Sequence, residues 1–196
     1  TGADGDRRQG HAPRGPKREV GTRLHVVGID ADLGVQAIAD ASVKPYPFKY
    51  VRAEGLAAVF QQFEEHGDDA QVLAGGQSLM PVLNMRLSAP RVLVDINRIE
   101  ELRGIALDGG EVRIGALTRH REVLESEVVR THLPLLAEAM PHVAHVAVRN
   151  RGTLGGSLAL ADPAAEMPAC AVALGATLVL RSAAGERTVA AEDFYQ

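Results

Sequence analysis

The chain has 196 residues, 46% of them hydrophobic, with 21 Lys and Arg against 25 Asp and Glu for a formal net charge of -4. That is enough apolar material for one substantial core or two small ones, and the charge balance argues against general nucleic-acid binding, which needs a basic surplus on one face. The longest apolar run, 167–180, is broken by Pro168 and Gly175 and is shorter than the roughly 20 residues of a membrane helix, so no span is expected.

In chain order, residues 1–42 read as a disordered or extraneous leader. Thr1 is not an initiator methionine, and the stretch to Arg23 is rich in Gly, Arg and Pro without an apolar period. LHVVGI, from Leu24, is strand-like but has no evident junction with the chain beyond it, so residues before about Val43 are expected to contribute little to the fold. Leu56, Val59, Phe60 and Phe63 then mark one stripe of a helix over 55–65 that Gly67 ends. Gln71–Ala74 predicts a buried strand, Gly75–Ser78 a turn, 79–87 a helix that tolerates Pro81, and Arg91–Asp95 another buried strand. These make a βαβ-type unit with parallel pairing.

After Asn97, residues 104–107 and 112–114 flank Asp108-Gly109-Gly110 and predict a hairpin. Thr118 is placed to cap a helix running to Leu124, and 133–140 predicts another. Pro163–Leu174 predicts a helix with Asp162 as N-cap and Gly175 past its end. A second hairpin comes next, Thr177–Leu180 with Arg187–Ala190, and no closing helix is evident before Gln196; both ends read as those of a fragment. The fold class is α+β in two lobes: a small βαβ lobe over 43–100, then a larger, truncated lobe over 101–196 with antiparallel sheet and helices.

Each lobe carries a glycine-rich segment, AGGQS in the first and TLGGS in the second, with the hydroxyls of Ser78, Thr153 and Ser157 beside the glycines. Each comes after extended chain and precedes helical pattern, so free N–H groups and a helix N-terminus converge where an anion could sit, and two such nests suit a pyrophosphate. Neither has the spacing of a P-loop or a Rossmann fingerprint. Other chemistries have weak support. His142 and His145 lack a third metal ligand at suitable spacing. Ser78 with His120 and Asp95 lacks the last glycine of a nucleophile elbow. Cys170, the one cysteine, sits among Ala and Val and reads as a buried, inert thiol that can hold no iron–sulfur cluster alone. No catalytic side chain and no metal site is assigned.

AGGQSLMPVLNMRLSAPRVLVDI, Ala74 to Ile96, and RNRGTLGGSLALADPAAE, Arg149 to Glu166, resemble the two signature loops of the FAD-binding (medium) subunit of molybdenum hydroxylases. This is the PCMH-type FAD-binding domain of the aerobic carbon monoxide dehydrogenase and xanthine dehydrogenase family. PFKYVRAEGLAAVF and RIGALTRHREVLES are similar to the family as well, so the resemblance runs from Val43 to Gln196. It implies an oxidoreductase flavoprotein subunit with the FAD pyrophosphate held between the two loops. Ala74, Gly75, Gly76, Gln77 and Ser78 would contact FAD from the first lobe, and Thr153, Leu154, Gly155, Gly156 and Ser157 from the second. Glu166 matches a carboxylate on the adenosine side, while Asp162 is assigned to capping.

The resemblance further implies a cytoplasmic heterotrimer that can dimerise, with a molybdopterin-binding large subunit and a 2Fe-2S small subunit, in which FAD relays electrons to an external acceptor. The family continues past Gln196 with more of the FAD lobe and a small C-terminal domain. The competing reading is a non-catalytic assembly module of the same fold that does not hold FAD. This chain has Leu160 where the family often has histidine, Val146-Ala147 where it has Pro-Gln, and Ala53 and Gly55 where it starts its helix with Pro and Ser or Thr, so a weaker helix start is expected. Valine at Gly75 or Gly156 is expected to abolish FAD binding more than stability, by resisting positive φ and filling the phosphate's place.

Overall fold

Short apolar runs set between helices give two sheets in the computed structural model, which describes residues 24–29 and 44–195. Strand β1 (Leu24–Ile29) belongs to the second sheet. The first lobe runs through β2 (Lys49–Arg52), α1 (Leu56–His66), β3 (Ala70–Leu73), α2 (Leu79–Asn84) and β4 (Val92–Asp95), and its three strands are ordered β2-β4-β3. Both pairings are parallel, as the βαβ pattern requires. Every residue of the central β4 is buried, and a strand covered on both faces reads as an unbroken apolar run. Edge strand β2, with sequence KYVR and mostly exposed side chains, has no such run and was not expected.

Helix α1 buries Val59 and starts at Gly55 with no side-chain cap, which agrees with the absence of Ser or Thr there. Gly67 ends it at φ 51, its N–H bonded to the Phe63 carbonyl. Helix α2 stops earlier than expected, because Arg86 turns into the left-handed region at φ 56. The first core gathers Val59, Val92, Val94, Ile96 and Ile99. Leu102 and Leu117 pack into that same core, so the lobe boundary expected at 100/101 is crossed by side chains from the second segment.

The second lobe contains two antiparallel hairpins, β5 (Ile105–Asp108) with β6 (Glu111–Gly115) and β7 (Thr177–Ser182) with β8 (Gly185–Ala190). Gly109 and Gly110 turn the first at φ 57 and 89, positive at both central positions as a tight hairpin turn demands. The sheet order is β5-β6-β1-β7-β8, and β1 is parallel to both neighbours, with Val26 opposite Ile114 on one side and Leu178 on the other. LHVVGI is thus a strand with two partners, which corrects, for these residues, the expectation that the chain before 43 adds little to the fold. The rest of 1–42 lies outside the described residues.

Helices α3 (His120–Glu125), α4 (Glu127–His132), α5 (Pro134–Ala139), α6 (Val146–Arg149), α7 (Leu154–Leu160), α8 (Glu166–Ala173) and α9 (Ala191–Phe194) pack on this sheet and on one another. Arg119, not Thr118, precedes α3: Thr118 is buried and its hydroxyl donates to the Gly104 carbonyl at 3.0 Å. The unexpected α4 is capped by Ser126, whose Oγ accepts from the Val129 N–H at 3.3 Å. Helix α8 begins at Glu166 rather than Pro163, because the Asp162 carboxylate accepts from the Ala164 N–H at 2.8 Å in a tight turn and caps no helix. A closing helix does exist: α9 buries Ala191, and the adjoining Tyr195 donates its hydroxyl to the Leu158 carbonyl at 3.2 Å.

The second core unites Ile114, Leu136, Met140, Leu154, Met167 and Leu178. Each fully buried Leu, Ile or Met contributes about 1.5–3 kcal/mol. Cys170 lies there too, and burial pushes its thiol up, as suits an inert core residue.

Candidate functional site

From the end of β3 the chain turns through Ala74–Ser78 into α2. Gly76 stands at φ +69, where glycine is strongly favoured. Gly75 has a different reason to be glycine. A Cβ there would lie 2.3 Å from the Arg151 carbonyl oxygen and 2.9 Å from Gly152 Cα, so the first glycine turn rests directly on backbone leading into the second glycine segment. The Gln77 side chain stiffens this turn by donating to the Gly75 carbonyl at 3.1 Å.

The second segment is helical rather than a loop. Gly155 and Gly156 lie in the first turn of α7, whose N-cap Thr153 accepts through Oγ1 from the Gly156 N–H at 3.2 Å. A Cβ on Gly155 would lie 2.5 Å from the Cβ of Ala116 and 2.6 Å from its Cα, so this glycine lets α7 press onto the chain leaving β6. Gly156 is open by comparison: its Cβ would meet only Thr153 Oγ1, at 2.7 Å. Neither Gly75 nor Gly156 has positive φ, which corrects the reason expected for their sensitivity to valine.

A cavity of about 500 Å³ opens between the two segments. Ala74, Gly75, Gly76, Gln77 and Ser78 all line it. From the second lobe Thr153, Gly155, Gly156, Ser157 and Glu166 line it as well. Leu154 does not line it; its side chain is 1% exposed in the second core, and its N–H donates to the Thr118 carbonyl at 2.9 Å. Asp162 reaches the cavity while holding its tight turn.

The two sides differ in what they offer. Among the described residues, the N–H groups of Gly75, Gly76, Gln77 and Ser78 have no backbone acceptor. By contrast Leu154 and Gly155 donate to the carbonyls of Thr118 and Ala116, both at 2.9 Å, and Ser157 donates to that of Thr153 at 3.1 Å. Anion-binding capacity therefore sits in the first turn, while the second segment supplies the bare surface of Gly156 and the Ser157 hydroxyl. Helices α2 and α7 span 6 and 7 residues, so unpaired N–H groups matter more here than a long helix dipole. Arg149 is engaged elsewhere, donating to the Val143 and Ala144 carbonyls at 2.8 and 3.1 Å. Among the described residues no three His, Cys, Asp or Glu gather as metal ligands.

Sequence reasoning weighed His120 only as a partner for a serine nucleophile, and missed its place in the cavity wall. The imidazole is 5% exposed, neither ring nitrogen has a hydrogen-bond partner, and a Cβ on Gly152 would lie 3.0 Å from its Nδ1. The signal available was the pairing of a histidine in TRH with an otherwise unexplained Gly152. Burial lowers its pKa from the ordinary 6.5; Arg149 pushes the same way, while Thr153 and Glu166 oppose. With the folded pKa below the unfolded one, the unfolded chain binds more protons, so stability rises with pH toward about 6.5 and is lost as pH falls through the folded value. Urea unfolding at pH 7.5 and 5.5 checks this: the wild type should lose more stability on acidification than His120→Gln.

A sequence profile described as "FAD binding domain in molybdopterin dehydrogenase" matches residues 46–196. Over 155 residues the chain is 44% identical to caffeine dehydrogenase subunit beta of Pseudomonas sp. (strain CBB1), covering 79% of this chain and 52% of that protein. It is 46% identical over 147 residues to the 6-hydroxypseudooxynicotine dehydrogenase complex subunit alpha of Paenarthrobacter nicotinovorans, covering 75% and 50%. Among solved structures, carbon monoxide dehydrogenase from Hydrogenophaga pseudoflava superposes with a TM-score of 0.76 at 43% identity, covering 78% of this chain and 53% of that one. The chain thus spans about half the length of the curated relatives it matches. Among the described residues no helix is long and apolar enough to cross a membrane.

Proposed function

The chain belongs to the family of FAD-binding domains in molybdopterin dehydrogenases, and from that premise we propose that it is the dinucleotide-holding part of the flavoprotein subunit of a molybdenum-containing hydroxylase. The observation that carries this reading is the asymmetric cavity, with unpaired N–H groups on the first turn and an open glycine face opposite. Its volume of about 500 Å³ lies within the range of small-molecule sites. The donor set suits a diphosphate: no cationic side chain is needed when successive backbone N–H groups converge on the anion.

In this reading the N–H groups of Gly75 to Ser78 bind the pyrophosphate, and Gly156 lets it approach because no side chain intervenes. Ser78 and Ser157 add hydroxyl donors. Glu166 is set to accept hydrogen bonds from the adenosine ribose, and buried His120 keeps water from the wall behind Gly152. Bound FAD would supply the redox chemistry itself, taking electrons from one partner and handing them to an acceptor.

Electrons would arrive from a 2Fe-2S small subunit, after substrate oxidation in a molybdopterin-binding large subunit, within a cytoplasmic complex. One cysteine cannot hold a cluster, so this chain depends on those partners. The deciding experiment titrates FAD into the purified chain and monitors flavin absorbance and fluorescence. Saturable uptake supports the proposal, and a folded chain that takes up no FAD favours the assembly-module reading. Dye reduction with carbon monoxide or purines should then require added large and small subunits; turnover by this chain alone would sink the relay.

A further inference from the structure

Asn97 lies just past the central strand of the first lobe and Arg119 precedes the first helix of the second, and sequence reasoning assigned neither a role. The Asn97 side-chain amide donates to the Ala74 carbonyl at 2.8 Å and to Asp95 Oδ1 at 2.7 Å. Its Oδ1 accepts from Arg119 Nη2 at 2.6 Å. The other arm of the guanidinium, Nη1, donates to the carbonyl of Arg151, the same oxygen on which Gly75 rests. A two-residue bridge thus joins the first residue of one glycine segment to the backbone just before the other.

Each end of this bridge is itself held. Asp95 accepts from the Tyr50 hydroxyl and from the Asn97 N–H, the latter at 2.8 Å, and Arg103 Nη2 donates to the Asn97 carbonyl at 2.6 Å. The Arg119 N–H donates to Glu122 at 2.6 Å, and the residue pairs with Thr153 in an isolated antiparallel bridge. Two acceptors in divergent directions call for a planar guanidinium fork, which a lysine ammonium does not reproduce. There is also a directional consequence. In a trans peptide the C=O and the next N–H point opposite ways, so pinning the Ala74 carbonyl to Asn97 aims the Gly75 N–H away from Asn97.

We propose that Asn97 and Arg119 are positioning residues, a clasp across the two lobes that sets the spacing and peptide orientation of the glycine segments for a dinucleotide diphosphate. The proposal rests on the cavity being the FAD site, and its geometric half, the clasp, is testable without FAD. Partial burial together with Arg103 and Arg151 pushes the Arg119 pKa down, and Glu122 and Asp95 counter it.

The test compares the wild-type chain with Asn97→Ala, Arg119→Lys, Arg119→Ala and the Asn97→Ala/Arg119→Lys double variant. Spin labels at Glu64→Cys and Glu138→Cys, exposed positions in α1 and α5, report interlobe distance without FAD. Each clasp variant should broaden the distance distribution and raise the FAD Kd tenfold or more. The double variant should be no worse than the poorer single, because both remove one bridge. Low-millimolar guanidinium should restore part of the FAD affinity of Arg119→Ala and do nothing for the wild type, a rescue that general loss of stability would not permit. Unchanged label distances would overturn the clasp, whether or not FAD binds. Broadened distances with FAD affinity within twofold of wild type would overturn its role in the site. A wild type that takes up no FAD overturns the reading of the cavity, and the label distances then decide the clasp alone.

Discussion

Gly155→Val should destabilise the chain by about 3 kcal/mol, at the upper end of ordinary overpacking. The reason is what the new atoms meet. A Cβ on Gly155 would lie 2.5, 2.6 and 2.8 Å from the Cβ, Cα and carbonyl oxygen of Ala116, and two of those are main-chain atoms that no rotamer change can move. Ala116 is buried between β6 and α3, and the Gly155 N–H donates to its carbonyl at 2.9 Å, so relief requires α7 to leave the sheet and break that bond. A better helix propensity for valine than glycine returns only about half a kcal/mol.

For a chain of this length the loss corresponds to a fall of about 6–12 °C in Tm. Gly55→Ser provides the control. Its Cβ meets nothing within 4 Å, and serine supplies the cap that α1 lacks, so its Tm should be equal to or above the wild-type value. A Gly155→Val chain melting within 2 °C of wild type would mean that α7 does not need this close approach.

What could be read in advance depended on where each residue's partner lies. Val92–Asp95 was legible because burial on both faces leaves an unbroken apolar run, and the first hairpin because Gly109 and Gly110 have a local conformational reason. Edge strand β2 left no such mark, since its pairing partner supplies the order and its own side chains stay mostly in solvent. Thr118 had the composition of a cap, but a carbonyl from the preceding hairpin, Gly104, claimed its hydroxyl. At the site, the glycines were visible as glycines. Their reasons were not, because Gly75 is set by Arg151 and Gly155 by Ala116, contacts between segments distant in the chain. Leu154 shows the same dependence: it stands within the TLGGS run, while the helical turn swings its side chain into the core. Asn97 and Arg119 had no motif of their own, and only the juxtaposition of the lobes gives them a role; His120 takes its place from Gly152 within the second lobe.

The contrast between Gly75 and Gly156 separates lobe geometry from cofactor contact. Gly75→Ala adds one methyl group, yet its Cβ would lie 2.3 Å from the Arg151 carbonyl oxygen, 2.9 Å from Gly152 Cα and 3.0 Å from Arg151 C, all backbone. The lobes must part to admit it, so both stability and FAD affinity should fall, the affinity by about 100-fold, equivalent to about 2.7 kcal/mol. Gly156→Val meets only Thr153 Oγ1 at 2.7 Å, the oxygen that caps α7, and otherwise projects toward the exposed cavity side. Turning that hydroxyl away costs about 1 kcal/mol of helix cap, while the valine methyls occupy space the diphosphate would take. Gly156→Val should therefore lose FAD binding with a Tm only about 2–4 °C lower, and its interlobe label distance should match wild type. Flavin fluorescence titrations, melting curves and label distances on both variants make the comparison. If Gly75→Ala keeps the wild-type interlobe distance while losing FAD, the first turn acts by touching the cofactor and not by seating the lobes; if Gly156→Val binds FAD normally, α7 does not face the dinucleotide at all.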